Sequence, residues 1–324
     1  MQFSSNQLTK MLSIDYPVIG GAMYPCSNPE LVAAVSNAGG IGIVQPISLT
    51  FVHGYDFRAG LRYIRSLTDK PFGLNLLIES SSKKYREKNK AWLEIALEEG
   101  VRFFITALGK PDWVVRRAEQ SPGIRVFHDV THHRWASKAV DAGVHGLICV
   151  NNRAGGHAGT CSAKELFDSL SPFGLPLILA GGVGGRCGFQ QAMELGYAGV
   201  QMGTRLIATH ECQAHEDYKK AIVDALEEDI VLTQNLTGVP VSVINTGYVK
   251  SKGTETGRLQ QWFLNSKQFK HFFRTCYSLR SLWQLRRSLK EGSQYRDYFQ
   301  AGKSVSEING VATVQAVFDE LIKS

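Results

Sequence analysis

The residues with the clearest chemical potential lie between Val150 and Thr160, in the run V-N-N-R-A-G-G-H-A-G-T. Ala154, Gly155, Gly156, Ala158 and Gly159 have little side chain to bury, so core packing does not explain why the stretch is written this way. Missing side chains let backbone approach a flat or anionic ligand, and His157 sets a group that titrates near neutrality beside it. Such an imidazole donates a hydrogen bond to an oxygen or moves a proton. A flexible surface loop with an incidental histidine has the same composition, so the position of the run in the chain must decide.

Two further glycine clusters follow apolar runs: Ala180-Gly181-Gly182-Val183-Gly184-Gly185 and Gly203-Thr204-Arg205. Glycine turns that lead into helices leave main-chain N–H groups pointing at an anion such as phosphate. Tight turning alone accounts for one such loop but is strained by two. Dinucleotide and nucleotide fingerprints fail, because Cys187 stands where the third glycine of G-x-G-x-x-G belongs and Asp297 stands where a phosphate loop ending at Gly302-Lys303-Ser304 needs its first. His128, His132 and His133 have only Asp129 nearby to complete a metal set, so they read as core or surface residues and no metal is expected. Asp129 itself, at the end of an apolar run, is an active-site candidate by location.

These clusters must be positioned by the elements between them. Apolar runs predict strands at Pro17–Gly21, Ile41–Gln45, Phe72–Leu77, Val101–Ala107, Arg125–Val130, Gly146–Val150, Leu175–Ala180 and Ala198–Met202. Helical segments separate them, among them one from Pro29 with Asn28 as cap, Phe57–Leu67, Lys83–Glu99 and Arg186–Leu195. Strands apolar on both faces, alternating with helices, are the alphabet of parallel sheets. Eight units predict an α/β fold, a (β/α)8 TIM barrel, in which the His157 loop follows the sixth strand and the two glycine loops follow the seventh and eighth. An open doubly wound sheet usually carries its glycines on the first turn, which this chain does not. The expected division is a barrel from residues 1–210 plus 300–324, with a helical cap over its mouth from 211–299.

Hydrophobic residues at 44% and charged ones at 20% are ordinary for a globular protein. The sequence has no apolar run long enough to span a bilayer and no signal-peptide layout, so a cytoplasmic location is expected. The six scattered cysteines read as reduced thiols. The formal net charge is +7, and from Lys250 to Arg296 there are eleven basic residues against two acids, Glu255 and Glu291. Aromatics interleave with those cations, at Trp262, Phe263, Phe269, Phe272, Phe273 and Trp283. Membrane-surface or RNA binding and a solvated helical cap that narrows access both fit this pattern, and the cap is the plainer reading.

In order along the chain, Pro17-Val-Ile-Gly-Gly-Ala-Met23, Asn37-Ala-Gly-Gly-Ile-Gly42, Pro71-Phe-Gly-Leu-Asn75, Ala154-Gly-Gly-His-Ala-Gly159, Ala180-Gly-Gly-Val-Gly184 and Gln201-Met-Gly-Thr-Arg205 resemble the successive signatures of the nitronate monooxygenase (2-nitropropane dioxygenase) family. The resemblance implies an FMN-binding barrel with relatives among quinone reductases and flavin-dependent enoyl reductases. It places the backbone of Ala22 and Met23 near the flavin, Asn75 within hydrogen-bonding reach and Gly155 beside it. Gly181, Gly182, Gly184, Gly203 and Thr204 then hold the phosphate, and His157 faces the substrate. The implied activity is oxidation of alkyl nitronates with dioxygen; the alternatives are an NAD(P)H-dependent quinone or enoyl reductase, or a flavin- or phospholigand-binding barrel that works through its basic cap. A small-molecule substrate, no nucleic acid and a homodimer complete the expectation. Two departures stand out: Arg153 replaces a glutamate common in the family, where a cation turned inward would lower the pKa of His157, and Asp129 stands where some relatives have lysine.

Overall fold

The computed structural model describes residues 6–78, 83–236, 239–254, 270–294 and 297–322. Eight strands run parallel: β1 (Val18–Gly20), β2 (Gly42–Val44), β3 (Phe72–Leu77), β4 (Phe103–Ala107), β5 (Arg125–Val130), β6 (Gly146–Val150), β7 (Leu177–Ala180) and β8 (Gly199–Met202). Each pairs with its sequence neighbour from β2 to β8, and β8 pairs with β1. Ile19 bridges Ile41 just ahead of β2, with Ile41 N donating to Val18 O at 3.0 Å and Gly20 N to Ile41 O at 2.9 Å. That bridge closes the ring, so the molecule is a TIM barrel as the alternation of runs predicts.

Both faces of the ring are covered, which is why the strands read as unbroken apolar runs. Phe104, Val126, Leu147 and Leu179 face the surrounding helices, and Ile19, Ile43, Ile105, Phe127, Ile148 and Ile178 fill the interior. Burying each such side chain contributes about 1.5–3 kcal/mol. The helices are α2 (Pro29–Asn37), α3 (Phe57–Leu67), α4 (Lys83–Glu98), α5 (Asp112–Glu119), α6 (His133–Asp141), α7 (Ala163–Leu170), α8 (Arg186–Glu194) and the short α9 (Thr204–Ile207). A further helix precedes them. In α1 (Gln7–Leu12), Leu8 and Leu12, with Ile14 just beyond, plug the bottom of the barrel against Ile19, Ile41 and Phe103. The Asn6 side chain accepts from Leu8 N at 2.8 Å and donates to Ala198 O at 2.9 Å, which fixes the plug to the strand-entry rim.

Register and alternation arrange the interior in layers of four, contributed by alternate strands. Ile43, Ile105, Ile148 and Gln201 form one layer. Above it, toward the strand ends, come Gly21, Asn75, Asp129 and Ala180, and the rim above those is Gln45, Ala107, Val150 and Gly203. The aliphatic core therefore gives way to small and polar residues at the mouth.

His128 points the other way, into the layer between strands and helices, where its Nδ1 donates to Thr106 Oγ1 at 2.8 Å. His132 stacks near Trp135 and His133 near Phe173, so the three histidines engage separate partners. Burial pushes the His128 pKa down to about 4. Below the ordinary imidazole value the unfolded chain takes up a proton that the folded one refuses, so this histidine lowers stability as pH falls. Over the window from 6.5 to about 4 the loss is about 3 kcal/mol. Urea unfolding at several pH values is expected to show that slope, and His128→Asn to remove it.

After α9 the chain adds α10 (Glu216–Asp224), an antiparallel pair β9 (Ile230–Thr233) and β10 (Val241–Ile244), α11 (Gly247–Lys252), α12 (Lys270–Glu291) and α13 (Val314–Ile322). Besides these helices the region carries a β-hairpin that the sequence reading did not include, because its four-residue strands are too short to announce themselves by periodicity. Helix α12 lies against the loops after β1 and β2: Tyr24 Oη donates to Leu282 O at 2.5 Å, and Arg286 sits 4.9 Å over the Phe51 ring. Of the residues assigned to the cap, Trp262, Phe263 and Phe269 lie outside the described residues, as do the side chains of Phe272, Phe273 and Leu279. No helix among the described residues is long and apolar enough to cross a membrane.

Candidate functional site

The mouth is built on an unusual pair of layers. Gly21 and Ala180 are too small to fill their layer, and the polar Asn75 and Asp129 complete it. Asn75 is 4% exposed and its amide donates to Ile105 O at 3.4 Å. Asp129 Oδ1 is hidden with no partner among the described residues, and so is Oε1 of Gln201 one layer down. Burial pushes the Asp129 carboxyl up to about 7. A hidden oxygen without a partner costs about 1–3 kcal/mol, which a bound polar group recovers. A flat ligand with donors and acceptors on its edge, resting on the small residues of this layer, suits that arrangement. Ala22 and Met23 form its lip, where Met23 N donates to Ser27 Oγ at 2.9 Å and Gly21 N to Met202 O at 2.7 Å.

The loop after β6 is stiffer than its composition implies, because Asn151 organises it. Asn151 is 1% exposed; its amide donates to Gly181 O at 3.0 Å, and its Oδ1 accepts from Arg153 N at 2.8 Å. Its carbonyl accepts from Gly159 N at 3.1 Å, closing the loop on itself. From outside, Ser242 of β10 pairs with Gly156, Ser242 N donating to Gly156 O at 2.7 Å. His157 stands at the tip, accessible to solvent yet surrounded by enough protein that desolvation lowers its pKa. The lowered pKa favours the neutral imidazole.

Gly181 and Gly182 follow β7 in left-handed conformations, at φ +111° and +82°. Gly203 follows β8 next to Met23, whose sulfur would stand 3.4 Å from a Cβ placed there. The C-terminal segment enters between these loops: Gly302 N donates to Thr204 Oγ1 at 2.9 Å, and Lys303 N donates to Arg153 O at 2.9 Å. A side chain on Gly302 would stand 2.6 Å from Arg153 O and from Gly155 N. The missing side chain of Gly155 therefore makes room for Gly302, where the sequence reading has it making room for a cofactor. Gly184 differs as well. Its N–H and that of Gly185 donate to Glu307 Oε2 at 3.0 and 2.6 Å, so the anion at the start of α8 is the chain's own carboxylate. Gly181 and Gly182 follow β7, and Gly203 and Thr204 follow β8, on the same rim of the barrel.

The model of the family described as nitronate monooxygenase matches residues 5–323. The chain belongs to the nitronate monooxygenase family. It is accordingly an oxidoreductase. A probable nitronate monooxygenase of Staphylococcus saprophyticus is 28% identical over 288 residues, 76% of this chain and 80% of that protein. A (3aS,4S,5R,7aS)-5-hydroxy-7a-methyl-1-oxo-octahydro-1H-indene-4-carboxyl-CoA dehydrogenase of Rhodococcus jostii is 28% identical over 245 residues, 75% of this chain and 67% of the relative. Among solved structures, FabK from Thermotoga maritima superposes with a TM-score of 0.80 at 28% identity, covering 98% of this chain and 95% of its own.

Within this family member Arg153 does not turn inward. Its guanidinium forms a two-pronged pair with Glu227, both contacts at 2.8 Å, and lies across Gly182. The lowered pKa of His157 has burial as its cause, so the condition under which Arg153 would lower it is not met. Both partners of the pair are more than a third exposed, at 41% and 37%, so the pair contributes about 1 kcal/mol or less. Arg153→Met is expected to leave the NMR titration midpoint of His157 unchanged and to shift urea unfolding by no more than that amount. Sequence reasoning missed Asn151, Glu227, Ser242 and Glu307, and met Gly302 only within the Gly302-Lys303-Ser304 triplet. Only Asn151 had a signal, a polar residue directly at the end of an apolar strand.

Proposed function

We propose that the chain binds FMN at the barrel mouth and oxidises alkyl nitronates with dioxygen, with His157 as the residue that meets the substrate. The observation that carries this reading is the accessible, neutral imidazole of His157 above a layer in which Asn75, Asp129 and small residues offer an otherwise unsatisfied polar floor. Main-chain groups of Ala22 and Met23 border the ring, and the N–H groups of Gly181, Gly182, Gly203 and Thr204 hold the phosphate. Bound FMN supplies the two-electron chemistry that side chains lack. His157 orients the substrate by donating its N–H to a nitronate oxygen, and the loop fixed by Asn151 and Ser242 keeps that donor over the open face.

A second reading has one feature of its own. Arg286 on α12 lies over the Phe51 ring and Lys290 lies near His53, where they suit a phosphorylated partner such as NAD(P)H or a thioester carrier. The chain is then a reductase or dehydrogenase of quinones or of enoyl and acyl thioesters. Anaerobic mixing separates the two. Loss of flavin colour with an alkyl nitronate and not with NADH or NADPH supports nitronate oxidation. Bleaching by a reduced nicotinamide supports the second reading.

A further inference from the structure

Asp129 is a carboxyl group at the open end of an aliphatic barrel. Phe127 on the same strand points inward, so by alternation Asp129 does too, one step nearer the mouth. Its layer otherwise holds Gly21, Asn75 and Ala180, none of which titrates. From β4 it faces Ile105 and Ala107, and from β6 Ile148 and Val150; beneath it is Gln201, whose Oε1 is likewise unpartnered. The titratable groups nearby are Cys149 and His128, both on the outer face of the ring, and His157 on the loop above. Arg153, the cation closest in sequence to that loop, is held by Glu227. Among the described residues no cation lowers the Asp129 pKa, and its Oδ1 has no hydrogen-bond partner.

We propose that Asp129 is the proton-exchanging group of the cofactor pocket: as a carboxylic acid it donates a hydrogen bond to the polar edge of the bound flavin, and as pH rises it releases that proton to the mouth and leaves a negative charge beneath the ring. The proposal rests on FMN being the ligand of the mouth. No redox change of the side chain is involved; the O–H bond breaks, the pair stays on the carboxylate oxygen and the proton goes to solvent. Its elevated pKa, about 7, puts the change inside the working range. Ionised Asp129 opposes added negative charge on the flavin, so the site binds reduced flavin best at low pH.

The test uses the whole chain loaded with FMN, as wild type, Asp129→Asn and His157→Ala. Visible absorption of the bound oxidised flavin is followed from about pH 5.5 to about pH 9, a range in which oxidised flavin alone does not titrate. A one-proton transition near 7 in wild type and His157→Ala, absent in Asp129→Asn, is the expected result. Affinity for reduced FMN in wild type relative to Asp129→Asn should also fall about tenfold per pH unit above that midpoint. Should Asp129→Asn fail to fold, Asp129→Glu must displace the midpoint. A flat wild-type titration, or one that survives Asp129→Asn, overturns the proposal and leaves FMN binding intact. A chain that takes up no FMN gives no visible band in any variant and overturns the cofactor reading together with the proposal.

Discussion

His157→Ala is expected to lower turnover by about 100- to 10,000-fold, the range for losing a positioned proton donor, while FMN stays bound. The side chain sits at the tip of a loop held by main-chain bonds to Asn151 and Ser242, so removing the imidazole leaves the loop in place. In the proposed complex the phosphate and ring are held by other loops. Steady-state kinetics with an alkyl nitronate, together with FMN titration, check both halves. If the variant sheds its flavin but retains full activity per bound flavin, His157 is a structural residue. The titration of the imidazole adds a sign. Burial lowers the pKa of His157, so its NMR titration midpoint should lie below the ordinary imidazole value, and both of its protonation states keep an N–H to donate.

Gly181→Ala is expected to weaken FMN binding at least about 100-fold and to cost about 3 kcal/mol or more of stability. Two effects combine at this position. Its φ of +111° is one that alanine adopts only with strain, and a Cβ there would stand 2.3 Å from Asn151 Oδ1 and 2.6 Å from Ala154 N. Asn151 must move, and with it the bonds that hold the His157 loop against β7. Gly174 supplies the control: it too has a positive φ, +69°, but a Cβ there meets nothing within 4 Å. Gly174→Ala should cost about 1 kcal/mol and leave FMN affinity unchanged. Urea unfolding and FMN titration of both variants distinguish loop geometry from backbone strain, and equal behaviour would refute the role given to Gly181.

The barrel was legible because each strand is covered on both faces, so Leu175 to Ala180 or Gly146 to Val150 cannot be mistaken for an amphipathic edge. The plug helix α1 was not, since six residues hold less than two turns of pattern. Asn28 stands at the start of α2 as expected, but its side chain donates to Glu211 O at 2.9 Å and accepts from Gln213 N at 3.1 Å, stitching the segment after β8 instead of capping the helix. The candidate site divides along the same line. Asn75 and Asp129 lie on strands and His157 follows one, so their place at the mouth could be read from position. Glu227, Gly302 and Glu307 meet their partners across 74, 98 and 123 residues of chain, and nothing local marks them. That distance also explains the reassignment of Gly184, whose N–H is reached by Glu307 before any ligand.

Equilibrium titration of the purified, flavin-free chain with FMN, followed by quenching of flavin fluorescence, tests the account most directly. Saturable uptake of one FMN per chain, with visible bands of bound oxidised flavin and affinity lost in Gly181→Ala, is the predicted result. No uptake, or uptake indifferent to Gly181, would mean that the rim formed by the late loops of the barrel serves some other ligand.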